Sequence, residues 1–171
     1  MKRLPLILCI LFLAGTLASC SHDDGTKDVS ETLGIDLSGG QMVKHTDAHD
    51  GFHGDGYTFT QIRFDKTAGV SAVKQMDNGG GWSRLPLTEN LQRAVYGKED
   101  GEASYGALVQ TDEGEALIPA IEHGYYYFYD RHSESRNPRD SNQLFSRFSY
   151  NFTIALYDSD NGNLYYYELD T

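Results

Sequence analysis

The chain has 171 residues, with 25 acidic against 14 basic side chains and a formal charge of −11. That length fits one domain with a core of its own, and the acidity repels phosphate backbones, which argues against nucleic acid as a partner. The two cysteines, Cys9 and Cys20, both lie near the N-terminus, so the rest of the chain has no disulfide, no cysteine nucleophile and no Cys-based metal site.

Residues 1–19 read as an export signal. Lys2 and Arg3 are followed by an apolar run from Leu4 to Leu17, the layout of a basic n-region ahead of a short h-region. The run falls short of the roughly 20 apolar residues that a membrane-spanning helix needs. It ends on small residues that lead straight into a cysteine, Leu17-Ala18-Ser19-Cys20. This tetrapeptide resembles the lipobox of bacterial lipoproteins. The resemblance implies cleavage before Cys20, a covalent diacylglycerol on Cys20, and attachment of the mature chain to a membrane. Two acyl chains on one residue suffice for a stable anchor, at about 0.8 kcal/mol per buried CH₂. Cys9 then leaves with the signal, and Cys20 is consumed by lipid.

Residues 20–40 are polar and rich in Gly, Ser, Thr and Asp. They read as a lipidated flexible tether with an end-to-end distance of roughly 25 Å. Leu33, Ile35 and Leu37 alternate, which suits docking of its last part as an edge strand. Residues 41–171 then form a single globular domain.

The densest polar cluster comes next, with His45, Asp47, His49, Asp50, His53 and Asp55 among Gly51, Gly54 and Gly56. Histidines at intervals of four would share one helix face, but the glycines oppose a helix there. A tight glycine-rich loop instead brings His49, His53 and Asp55 together as candidate ligands for a divalent metal, with His132 as a fourth. No established zinc spacing is matched, and an ordinary solvated loop is the simpler account.

Tyr57–Phe64 predicts a strand, with Tyr57 and Phe59 facing one way and Thr58, Thr60, Ile62 and Phe64 the other. Asn78-Gly79-Gly80-Gly81 marks a turn. Thr88–Tyr96 predicts a helix capped by Thr88 and ended by Gly97, with Leu87, Leu91 and Val95 as its apolar stripe. Tyr125–Tyr129 is an aromatic strand leading into Asp130-Arg131-His132. Site residues often sit where a rigid strand gives way to a loop, which makes Tyr125, Tyr127, Asp130 and Arg131 candidates for contact with a ligand. The plainer reading of the twelve tyrosines is that they pack the sheet. Phe148–Tyr157 and Leu164–Leu169 flank Asn161-Gly162, a strong hairpin signal. A two-residue loop there pairs Leu156 with Tyr167 and Ile154 with Leu169, giving one apolar and one mixed face. Asp158 to Gly162 departs from the calcium-loop pattern and is explained by the turn.

These elements predict an α+β fold: a mostly antiparallel sheet with a C-terminal β-hairpin and one short packed helix. The chain contains no G-x-S-x-G, Walker loop, dinucleotide fingerprint or HExxH. Gly51–Gly56, Trp82–Leu87 with Glu89–Gln92, and Tyr125–His132 are similar to stretches of short lipoproteins of clostridial-type bacteria, for which no activity is implied. That resemblance places the domain on the outer face of a single cell membrane; a diderm host would leave periplasm or outer membrane open. The functional expectation is a non-catalytic, lipid-anchored domain that binds an envelope protein or a small ligand and needs no cofactor. The alternative is a metal-binding protein or metal-dependent enzyme built on residues 45–55.

Overall fold

The computed structural model describes residues 23–49, 54–101 and 103–171. Its main sheet has the spatial order β1 (Gly40–Asp47), β2 (Gly56–Phe64), β8 (Asn163–Asp170), β7 (Asn151–Asp158), β6 (Gly124–Asp130) and β3 (Trp82–Arg84). Every neighbouring pair is antiparallel. β4 (Lys98–Asp100) and β5 (Ala103–Tyr105) form a separate small ribbon. Three α-helices are present among the described residues: α1 (Asp23–Leu33), α2 (Lys66–Asn78) and α3 (Glu89–Tyr96). The fold is α+β with a mostly antiparallel sheet.

Strand alternation divides the core into two layers. Tyr57, Phe59, Phe152, Ile154, Leu156, Tyr165 and Tyr167 face α3, while Ile62, Phe64, Ala155, Tyr157, Leu164 and Tyr166 face α1 and α2. The split in β2 follows the period-two pattern of its sequence. The face that reads as mixed is therefore buried as well, because two helices cover it. Only α3 is the helix expected from sequence. Its N-cap Thr88 accepts from the Leu91 amide, Gly97 ends it at φ 75°, and Leu87, Leu91 and Val95 are buried.

Within residues 20–40, the described part from Asp23 is not the flexible tether that the composition suggests. From Asp23 onwards they form α1, which packs on the sheet. Val29 and Leu33 sit at i and i+4, enough for a narrow apolar stripe. Gly34 adopts φ 65° just past the last helical residue, a common way for a helix to end. Leu33, Ile35 and Leu37 are buried. The Tyr127 hydroxyl donates to the Thr32 carbonyl at 2.9 Å and the Trp82 indole to the Leu33 carbonyl at 3.1 Å, so β6 and β3 fasten the end of α1. Ile35 and Leu37 dock as irregular chain rather than as an edge strand. The folded part thus includes α1 and residues 34–40 and does not start at residue 41. The edge is β1, whose register shifts between Met42 and Lys44, and such a bulge discourages pairing with a further strand.

The C-terminal hairpin forms, but two residues away from the expected register. Asp158 pairs with Asn163, Leu156 with Tyr165 and Ile154 with Tyr167. The Asp158 carboxylate accepts from the amides of Asp160 and Asn161 and from the Asn161 side chain. This widens the loop to Ser159–Gly162, with Gly162 at φ 67°. A shift of two preserves which side chains share a face, so the faces follow the sequence even though the pairing does not.

Candidate functional site

The two ends of the central strands differ in chemistry. At one end β1, β6 and β8 finish together and their charged residues are paired with one another. His49 lies between two carboxylates, with Nδ1 2.7 Å from Asp47 and Nε2 3.4 Å from Asp170. Arg131 continues the chain of contacts, reaching Asp170 at 2.9 Å and Glu168 at 3.1 Å. It also donates to the carbonyls of Phe152 and Leu169. Arg131 thereby ties the exit of β6 to β7 and β8.

The hydrogen bond to Asp47 raises the His49 pKa; partial burial opposes this, and Asp170 adds to it. The folded chain consequently holds the His49 proton to higher pH than the unfolded chain does. Its contribution to stability is complete below about pH 6.5, the ordinary histidine value, and is lost as pH rises through the folded value. Thermal melts are expected to show a fall in Tm across that range that is reduced in His49→Gln; a variant with the parent's pH profile would show that His49 plays no such part.

Asp130, Arg131 and His132 diverge rather than converge. Asp130 turns inward to a buried pair with Arg147, whose Nη1 lies 3.1 Å from Oδ1 and whose Nη2 holds Oδ2. Burial pushes the Asp130 carboxyl up, but hydrogen bonds from Arg147, the His132 amide and Ser135 outweigh it and leave the pKa below its ordinary value. His132 meets Ser149, with Nε2 3.1 Å from Oγ. Its Nδ1 accepts the Glu134 amide hydrogen at 3.1 Å, so in the neutral ring the proton sits on Nε2 and is donated to Ser149. A general base for a serine needs the opposite tautomer, with Nδ1–H held by an acceptor. The pair is arranged as a structural hydrogen bond.

Tyr125 and Tyr127 belong to the core under α1 and α2. Their hydroxyls are engaged, Tyr125 with Asp77 and Tyr127 with the Thr32 carbonyl, so neither presents a ligand surface. Asp55 is exposed. No three of the described His, Cys, Asp and Glu residues are grouped closely enough to hold a metal ion. His53 and Cys20 lie outside the described residues.

The opposite end of the sheet carries a groove of about 560 Å³ between the start of α2 and the β7–β8 turn. Phe64, Val70 and Val73 supply its apolar walls, and Tyr157 and Gly69 line it between them. Asp65 and Lys66 stand on the α2 side, Ser159, Asp160 and Asn161 on the turn side. Phe64 ends β2, and Asp65 immediately caps α2 by accepting from the amides of Thr67 and Ala68, both at 2.8 Å. The groove follows from that abrupt strand-to-helix junction meeting the widened hairpin loop.

The chain matches no protein-family model, no curated protein and no solved structure. The groove is not legible in the sequence, because its walls come from residues nearly one hundred positions apart. The strand-to-helix half was visible in principle: Asp65 is a good N-cap residue, and Ala68, Ala72 and Met76 recur at the helical interval of four.

Proposed function

We propose that this is a lipid-anchored extracytoplasmic protein whose folded part binds a partner or small ligand at the cell envelope and carries out no catalysis. The observation that carries the reading is the Leu17-Ala18-Ser19-Cys20 sequence at the end of a basic and then apolar N-terminal run. The side-chain chemistry supports the non-catalytic part. The charged residues at the ionic end are paired with one another, His132 is held in the tautomer that donates to Ser149 rather than accepting its proton, and a concave surface with apolar walls lies at the other end of the sheet.

The position of α1 sharpens what the anchor would do. Only Ser21 and His22 separate Cys20 from the helix that opens the folded domain. A lipid on Cys20 would therefore hold the domain near the bilayer surface rather than on a long tether. Cys20→Ser is expected to abolish incorporation of labelled palmitate and to move the protein from the membrane fraction. Unchanged membrane association in Cys20→Ser would overturn the proposal.

A further inference from the structure

We infer that the groove between α2 and the β7–β8 turn binds an amphiphilic monoamine, an apolar body that carries a primary ammonium group. The groove volume of about 560 Å³ lies within the roughly 300–1,000 Å³ range typical of small-ligand sites. Its apolar part is accessible: Val70 is 67% exposed and stands on the wall beside Val73 and Phe64.

The polar part contains an incompletely used group. Tyr157 is only 3% exposed, yet its hydroxyl has no hydrogen-bond partner among the described residues. The nearest wall is Gly69, where a Cβ would come within 2.8 Å of that oxygen. The missing side chain at Gly69 leaves room for the hydroxyl and keeps it beside the groove. The hydroxyl is thus open to the groove rather than sealed in the core, and a ligand N–H there would give it a hydrogen-bond partner.

Charge selects the ligand's sign. Asp65 and Asp160 line the groove with Lys66 as its one cationic side chain. Asp65 uses Oδ1 to cap α2, and Asp160 uses Oδ2 to hold His123 at 2.9 Å. Each keeps a second oxygen without a protein partner among the described residues. The first amides of α2, which would otherwise attract an anion, are already taken by Asp65. The chain's charge of −11 further raises the local concentration of cations. An ammonium therefore has oxygens to meet, whereas a carboxylate finds one lysine against two carboxylates.

The inference rests on the binding-domain reading but not on the anchor, since the titration below does not involve Cys20. The full chain is titrated with 2-phenylethylamine, its neutral analogue 2-phenylethanol and the anionic phenylacetate, followed by calorimetry and by NMR shifts of α2 and the hairpin. The amine is expected to bind saturably and more tightly than the alcohol, with phenylacetate weakest. Tyr157→Phe should weaken the amine about three- to tenfold, the worth of one hydrogen bond. Val70→Lys, at an exposed position, should weaken it at least about tenfold through like-charge repulsion while leaving the melting temperature near the parent's. Absence of saturable amine binding, phenylacetate binding as tightly as the amine, or a Val70→Lys variant that binds like the parent would each overturn the inference.

Discussion

Leu33→Ala is expected to destabilise the protein by about 2–5 kcal/mol, the usual cost of truncating a fully buried leucine. Leu33 is 1% exposed and belongs to the core layer beneath α1 and α2. It is fixed there by Val29 one turn earlier and by the hydrogen bonds that Tyr127 and Trp82 donate to the carbonyls of Thr32 and Leu33. Lys27→Ala, on the exposed side of the same helix, serves as the control and should change stability by no more than about 0.5 kcal/mol. Urea denaturation of both variants checks the pair. If the two behave alike, residues 23–37 are a tether after all and the domain begins near residue 41.

Arg147→Ala is expected to cost about 3–5 kcal/mol, because it leaves the Asp130 carboxylate buried without its counter-charge. The two side chains are 1% and 8% exposed, so the intact pair is largely shielded from solvent. Replacing both together, as Asp130→Leu with Arg147→Met, should recover most of the loss, since an apolar pair of similar volume avoids the desolvation of two ions. The pair also sets a pH dependence. The lowered Asp130 pKa means that the folded chain gives up this proton more readily than the unfolded chain. The resulting stability is present above about pH 4, the ordinary aspartate value, and is lost as pH falls through the folded value. Chemical denaturation of the single and double variants checks the prediction; an Arg147→Ala variant as stable as the parent would contradict it.

The sequence was most readable where one local rule decides the structure. Thr88, the stripe of Leu87, Leu91 and Val95 at intervals of four, and Gly97 define α3 to within a residue. Alternation in β2, β7 and β8 assigns faces correctly, because the period of two is a property of the strand itself. The hairpin register was legible only modulo two, since Asp158 captures three turn donors and lengthens the loop.

Residues 23–37 depart from their sequence pattern for a different reason. Their composition is polar, and their few apolar residues acquire a role only when β6 and β3 provide the surface beneath them. Likewise, Tyr125 and Tyr127 resemble ligand contacts while the strand is considered alone, and become core once α1 and α2 are in place. The partners of Asp130, Arg131 and His132 come from Arg147, Asp170 and Ser149, and no short-range pattern announces such pairs. The groove is a product of tertiary structure for the same reason: Asp65 and Asp160 become neighbours of one cavity only through the pairing of β2 with β8.

Lipid attachment at Cys20 is tested most directly by intact mass spectrometry of the protein purified from membranes of the producing bacterium. The expected mature chain begins at Cys20 and carries the added mass of a diacylglycerol on that residue. An unmodified chain beginning at any other residue, or one retaining residues 1–19, would contradict the proposed anchor.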